Sequence, residues 1–283
     1  MPLISVIIPT HNRAASLPRA LDSVAQQSFT DWELIVVDDG STDSTDAAVE
    51  EWRSRHPAWL SFGSIKTSQR GVSAARNLGA AQARGRWLAF LDSDDEWLPK
   101  KLEQQLPLLA DFKWVHGEEI WIRNGVRVNP MKKHAKSGGR IFSRCVELCC
   151  VSPSAALVER SLFLDLGGFR EDFVVCEDYE LWLRLSELYP IGFMPEPVLV
   201  KYGGHADQLS RRYHTMDDFR CRALLPFLES QSLCFEERLV VARTLVSKCD
   251  VLTAGYEKHG HAEKLDEVRG WRKMAVTLLN GRE

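Results

Sequence analysis

The first 110 residues alternate between two kinds of apolar pattern, and that alternation narrows the folds open to the chain more than any other feature. Leu3–Thr10 (LISVIIPT) is a short β-branched run with a proline near its end, which reads as a strand. Ser16–Gln27 then places Leu17, Ala20, Leu21 and Val24 at helical spacing, with Ser16 as the expected cap. The alternation continues. Trp32–Gly40 (WELIVVDDG) is a second strand and Ser44–Arg55 a second helix with a Ser/Thr start. Trp59–Lys66 is a third, weaker strand, and Gly71–Arg84 an alanine-rich helix stopped near Gly85. Arg86–Asp92 is a fourth strand, and Pro99–Ala110 a helix that begins at a proline. Continuous apolar strands separated by amphipathic helices predict a parallel sheet covered on both faces. In such sheets ligands bind beyond the carboxyl ends of the strands.

After residue 110 the pattern loosens. Phe112–Val128 alternates around Asn124-Gly125, a hairpin signal. Asn129–Gly139 is polar, basic and glycine-rich, and is expected to form an exposed loop. Ser152–Phe169 reads as a strand and a short helix, Cys176–Leu188 as an amphipathic helix, and Pro197–Gly204 as a last strand. From about Thr215 the sequence is helical to residue 283, and no internal repeat is found.

Composition bounds the function classes. Apolar residues make up 45% and charged residues 27%, as in a soluble protein with a full core. A net charge of −3 gives no nucleic-acid footprint. The longest apolar runs are too short to span a bilayer. The start, MPLISVIIPT, lacks a basic region and a small-residue cleavage site, so it is not a secretory signal. Seven cysteines, an odd number without a targeting segment, point to reduced thiols in the cytosol. The cluster Cys145, Cys149 and Cys150 lacks a second half with paired metal ligands and is expected to pack as small core residues.

Trp87–Trp97 (WLAFLDSDDEW) carries Asp92, Asp94 and Asp95 to the end of an apolar strand, with Ser93 between the first two. Unpaired buried charge costs roughly several kcal/mol per ion, so a positive partner is expected. Asp-x-Asp supplies hard oxygens to Mg²⁺ or Mn²⁺, which also grip substrate phosphates. The competing reading is that these acids favour the helix near Pro99 through its dipole, which explains one acid better than three. Asp38 and Asp39 end the second strand at the same sheet edge, where a strand-ending turn is the competing reading.

Val6–Arg13 (VIIPTHNR), Val36–Thr45 (VVDDGSTDST), Gly71–Gly79 (GVSAARNLG) and Phe90–Trp97 (FLDSDDEW), in this order and spacing, resemble glycosyltransferase family 2. Gly167–Glu171 (GGFRE) and Cys176–Leu185 (CEDYELWLRL) fit as well, and the resemblance covers about residues 3–212. It implies a GT-A fold: a Rossmann-like, mostly parallel sheet flanked by helices, here with a helical C-terminal extension. Residues 1–215 would be the transferase domain, with 1–110 its nucleotide-binding half and 111–215 its acceptor-binding half. Residues 216–283 would be the extension, a solvated helical appendage by its balanced charge.

The resemblance also implies roles. Asp39 would accept from the N–H of a pyrimidine, most simply uracil, with Asp38 serving the same pocket and Pro9, Thr10 and Arg13 lining its floor. Arg76 would touch phosphate or base, since arginine matches phosphate bidentately; a solvated surface arginine is the alternative. Asp92 would approach the ribose, with Ser93 beside it, and Asp94 the metal; Asp95 is left as a further ligand or a helix cap. Asp178, beside Glu177, would be the base that takes the acceptor hydroxyl's proton as the anomeric centre inverts. An acid favoured by the helix dipole is the local alternative there. His205 would be a third metal ligand, and Gln208, Ser210, Arg211 and Arg212 a lid over the diphosphate. This segment is similar to the Gln-x-x-Arg-Trp motif of processive members, but Arg212 stands where the Trp would be.

The expected activity is therefore metal-dependent transfer from a UDP-sugar to a hydroxyl acceptor, a glycan or a lipid-linked molecule, in cell-envelope synthesis. The expected cofactor is Mn²⁺ or Mg²⁺. The expected location is the cytoplasm, with peripheral contact at the inner face of the membrane and homo-oligomerisation left open. Two other readings are kept. A sugar nucleotidyltransferase would want a glycine-rich loop after the first strand, and PTHNRAASL has no glycine. A non-catalytic nucleotide-sugar scaffold would be favoured by loss of Asp94 or Asp178, and both are present.

Overall fold

The computed structural model describes residues 1–56, 62–129, 131, 134–204 and 216–281. The chain divides into two compact units. The first comprises Met1–Arg140, Val151–Val174 and Tyr189–Ala206; the second comprises Ile141–Cys150, Val175–Leu188 and Asp207–Glu283.

The first unit is built on one nine-stranded sheet. Its strands are β1 (Ile4–Thr10), β2 (Trp32–Asp39), β3 (Phe62–Thr67), β4 (Trp87–Phe90), β5 (Glu96–Trp97), β6 (Trp114–Arg123), β7 (Val126–Val128), β8 (Leu157–Glu159) and β9 (Gly192–Gly203). The order is β3-β2-β1-β4-β8-β6-β9-β5, with β7 on β6. The N-terminal part, β3-β2-β1-β4, is wholly parallel. Beyond β4 the sheet is mixed: β8 runs antiparallel to β4 and β6, whereas β9 runs parallel to β6. All seven residues of β1 are buried, as its central place requires.

The helices of this unit are α1 (Leu17–Ala25), α2 (Thr45–Arg55), α3 (Val72–Gln82), α4 (Lys101–Gln105) and α6 (Arg160–Asp165); α5 belongs to the second unit. Leu17, Ala20, Leu21 and Val24 are the buried stripe of α1 that its spacing predicts. Ser16 occupies the cap position of α1 but makes no side-chain cap bond, and α2 instead receives its starting amide bond at Asp43, which accepts from Thr45 N–H (3.0 Å). Gly79 lets α3 lie close on β1, since a Cβ there would stand 2.5 Å from Ile7 Cγ2. The Asn124-Gly125 hairpin is present, joining β6 to β7 with both residues at positive φ (50° and 76°), as a two-residue primed turn demands.

The second unit is helical: α5 (Phe142–Glu147), α7 (Glu177–Leu188), α8 (Met216–Leu224), α9 (Phe235–His259) and α10 (Ala262–Asn280). The expected C-terminal helices are there, α9 and α10 forming an antiparallel hairpin turned at Gly260. Tyr179, Leu181, Trp182 and Leu185 of α7 are buried with Cys145, Val146, Leu224, Leu245 and Cys249. None of the seven cysteines is joined in a disulfide.

Candidate active site

Within the first unit, β1, β2 and β4 end at the same sheet edge, where the strand order turns outward from β1 in both directions. Pro9 and Thr10 close β1, and Thr10 sits in register with Asp38. The Thr10 hydroxyl is buried and has no hydrogen-bond partner among the described residues.

The loops after β1 and β2 are stitched to each other. Asn12, held at φ 53°, accepts on Oδ1 from the amides of Thr42 (2.8 Å) and Asp43 (3.2 Å), and its own amide donates to Ser41 Oγ (2.8 Å). Arg13 N–H donates to Thr45 Oγ1 (2.9 Å). His11 Nδ1 donates to the Asp39 carbonyl (2.8 Å), which leaves Nε2 to accept from Asn12 Nδ2 (3.1 Å) and Gln69 Nε2 (3.2 Å). His11 is thus a brace between three loops.

Asp38 and Asp39 are buried at the end of β2. Asp38 Oδ1 accepts the Ser41 amide (2.9 Å), the turn expected of such a residue. The Asp39 carboxylate accepts the amides of Arg70 and Gly71, one on each oxygen at 2.7 Å. The loop before α3 is thereby drawn to the carboxyl end of β2, and the carboxylate is fixed in plane. A carboxylate has about four acceptor positions, so each oxygen keeps one to spare.

Positive charge beside Asp92 comes from Arg76 and Lys201, neither of which the sequence pattern places there. Arg76, on α3 and only 3% exposed, places Nη2 2.6 Å from Asp92 Oδ1. Burial opposes ionisation of Asp92, but the charges of Arg76 and Lys201, with hydrogen bonding to Arg76 and Ser154, outweigh it and hold the carboxyl below the usual range. Ser93 is buried and Asp94 half-buried. Asp95 behaves oppositely: burial pushes its carboxyl well up, Lys201 opposes this, and Asp92 and Asp94 reinforce it. Both Asp95 oxygens are engaged, Oδ2 by the Ser154 hydroxyl (2.7 Å) and Oδ1 by Tyr202 N–H (3.1 Å). Of the two roles left open for Asp95, the helix cap is not taken, since Lys100 holds the cap position of α4.

The donor set around Asp94 is carboxylate oxygen, which suits Mg²⁺ or Mn²⁺ in kind. Among the described residues no group of three or more His, Cys, Asp or Glu is arranged to hold a metal. A cation held here would take few protein ligands and would fill its shell with water and substrate phosphate, the usual habit of Mg²⁺. His205, Gln208, Ser210, Arg211 and Arg212, expected to add a metal ligand and a lid, lie outside the described residues.

Ion pairing continues behind the cluster. Glu119 on β6 pairs with Lys136 (2.6 Å), both buried, and accepts from Trp121 Nε1 (2.8 Å). Lys201 on β9 donates to Ser152 Oγ (3.0 Å). No sequence motif announced Ser152, Ser154, Lys136 or Lys201; they come from segments brought in by β8, β9 and the loop before α5.

Asp178 lies in the second unit, as the second residue of α7. Its Oδ1 accepts Tyr179 N–H (2.7 Å) and its Oδ2 accepts the Cys149 thiol (3.3 Å).

Residues 5–167 match the family model described as Glycosyl transferase family 2. The chain is similar to the UDP-Glc:alpha-D-GlcNAc-diphosphoundecaprenol beta-1,3-glucosyltransferase WfgD of Escherichia coli, with 31% identity over 185 residues, covering 65% of this chain and 69% of that protein. Four further curated relatives are matched over 27% to 65% of their own lengths. Among solved structures, S. aureus TarS 1–349 in complex with UDP-GlcNAc superposes with a TM-score of 0.76 at 21% identity, covering 98% of this chain and 81% of that one. The mannosyltransferase PcManGT from Pyrobaculum calidifontis, in complex with GDP-Man and Mn2+, superposes with a TM-score of 0.62 at 22% identity, covering 98% and 85%. At these identities the two structures establish the shared GT-A architecture.

Proposed function

Because the chain belongs to glycosyl transferase family 2, we propose that it transfers a sugar from a UDP-sugar to a hydroxyl of a glycan or lipid-linked acceptor in cell-envelope synthesis, inverting the anomeric centre. The observation that carries this reading is the meeting of the β1, β2 and β4 ends on one edge, which gathers Thr10, Asp38, Asp39 and Asp92–Asp95. Asp39 is assigned the uracil N–H. Its two amide bonds hold the carboxylate rigid, and its spare lone pairs take the donor that uracil presents between two carbonyls. Pro9, Thr10 and Arg13 form the floor beside it. The buried Thr10 hydroxyl is a polar group that gains a partner from a bound nucleotide.

Asp92, with Ser93, is assigned to the ribose, and Arg76 holds Asp92 ionised and in place. Asp94 is the proposed ligand of Mn²⁺ or Mg²⁺, with His205 as its partner. Such a cation, when bound, neutralises charge on the departing diphosphate. Gln208 and Arg211 are assigned to the same diphosphate. Asp178 is assigned the acceptor's proton, the one transfer a single in-line displacement requires.

The acceptor class is supported by WfgD, whose name specifies a diphosphoundecaprenol-linked sugar. A lipid-linked acceptor would place the protein at the inner face of the membrane. No helix among the described residues is long and apolar enough to cross one.

The test is calorimetric titration with UDP and with GDP, each in Mn²⁺ and in EDTA. Metal-dependent micromolar binding of UDP and not GDP is the expected result. Preference for GDP would overturn the uracil assignment, and equal UDP affinity in EDTA would overturn the metal assignment.

A further inference from the structure

Asp178 is held at both oxygens from within its own unit, and the nature of the two holders is informative. The Tyr179 amide fixes Oδ1 at 2.7 Å, and the Cys149 thiol, from the segment after α5, reaches Oδ2 at 3.3 Å. The helix carrying Asp178 starts from Cys176, a non-glycine residue at φ 61°. That conformation costs roughly 1–3 kcal/mol and persists only where the surroundings impose it. Tyr179, buried, donates its hydroxyl to the Val146 carbonyl (2.7 Å), tying the first turn of α7 to α5. The backbone that bears Asp178 and the backbone that bears Cys149 are thus fastened to each other.

The other polar groups here are committed elsewhere. Arg220 on α8 pairs with Asp217 (2.9 Å), which also takes Lys248 from α9 (3.0 Å). Cys145 and Cys150 lie sulfur to sulfur at 3.4 Å. Cys176 donates to the Met216 carbonyl (3.8 Å), and burial, with the neighbouring Asp178, Glu177 and Asp217 acting against Arg220, pushes its thiol up to about 12. A guanidinium on Asp178 would hold the carboxylate strongly but oppose protonation. A thiol is a weak, uncharged donor that orients the carboxylate without an ion pair.

We propose that Cys149 is a positioning residue for transfer: its thiol holds the Asp178 carboxylate in the single orientation from which it accepts the acceptor's proton. The inference rests on Asp178 being the base. A hydrogen bond to a charged group of this kind is worth about a tenfold change in rate if it acts only on the proton-transfer step.

The test compares wild type with Cys149→Ala, Cys149→Ser and Asp178→Asn, reading UDP release from UDP-glucose and UDP-N-acetylglucosamine with water as acceptor. Cys149→Ala should lower kcat about tenfold with donor KM, UDP affinity and Tm unchanged, and Cys149→Ser, which keeps a donor, should recover most of it. Wild-type kcat in Cys149→Ala, with Asp178→Asn inactive, overturns the positioning role and leaves the base assignment standing. A fall in kcat that serine does not recover, or that comes with a lower Tm, overturns it too. Wild-type turnover in Asp178→Asn overturns the base assignment and the inference with it.

A second arm needs no turnover. Iodoacetamide labelling of Cys149, located by peptide mass spectrometry, should quicken severalfold in Asp178→Asn, because a carboxylate neighbour disfavours the thiolate that reacts. An unchanged labelling rate means that the thiol and the carboxylate do not interact, and the proposal falls.

Discussion

Arg76 and Asp92 form an ion pair whose two ends see different surroundings: the guanidinium is 3% exposed, the carboxylate 27%. Removing one partner of a buried pair strands the other, at about 3–5 kcal/mol when the stranded ion is fully buried. The asymmetry sets the order of two variants. Asp92→Asn takes the carboxylate charge away from the more deeply buried Arg76 and should cost the larger amount. Arg76→Met strands Asp92, which water partly reaches, and should cost about 2 kcal/mol less than that upper figure. Urea unfolding of both variants measures the order, and a reversed order would show that Asp92 depends on the pair more than Arg76 does.

Glu119 gives a stability prediction with a defined pH window. Burial opposes its ionisation, but the charges of Lys136 and Lys201 and the hydrogen bonds from Lys136 and Trp121 prevail and bring it from 4.5 to about 2. The folded value lies below the unfolded one, so the stabilisation is complete above pH 4.5 and is lost as pH falls from 4.5 towards 2. Two to three units correspond to roughly 3 kcal/mol. Glu119→Gln should therefore be less stable than wild type at pH 7, and the gap should close on acidification from pH 4.5 to 3. Denaturant unfolding across that range checks it; a gap that stays constant would mean the variant suffers from lost packing alone.

These two pairs also mark where the sequence stops being legible. Local periodicity exposes β1, β2, β4, α1 and α3, because burial on one face of a helix or both faces of a strand leaves its mark on neighbouring residues. Asp38, Asp39 and Asp92 could be placed on one edge from that periodicity alone. The fate of Asp95 could not, since it is decided by Ser154 and Tyr202, 59 and 107 positions away. The same holds for the pairing of β6 with β9, whose register shifts around Glu118 follow no local pattern. A brace between loops, such as His11, has no spacing to betray it. The membership of α7 in a unit apart from β1–β4 is likewise a matter of long-range packing.

The loop before α3 hangs on Asp39, whose two oxygens take the Arg70 and Gly71 amides at 2.7 Å. Asp39→Ala removes both acceptors and the proposed uracil contact, whereas Asp39→Asn keeps one acceptor oxygen. UDP affinity should fall by at least about tenfold in the alanine variant, or roughly 1.4 kcal/mol, and by less in the asparagine variant. Calorimetry with UDP ranks the three proteins. Unchanged affinity in Asp39→Ala would remove Asp39 from the nucleotide pocket.

Asp94 and Asp178 are assigned to different steps, and their variants should fail differently. Asp94→Asn keeps the shape of the side chain but halves its oxygen donors and removes its charge, so a divalent cation loses a hard ligand. UDP binding in Mn²⁺ should then drop to the level seen in EDTA. Asp178→Asn leaves the Tyr179 amide with an acceptor but can no longer take a proton, so binding of UDP with Mn²⁺ should match wild type. Loss of general-base catalysis alone costs about 10²–10⁴-fold in rate, and that loss should appear in kcat and not in donor affinity. Titration and turnover measured on the same two preparations separate the assignments. Weakened UDP binding in Asp178→Asn would place that carboxylate in the donor pocket, and undiminished metal dependence in Asp94→Asn would send the search for the ligand to Asp92 or to residues 205–211.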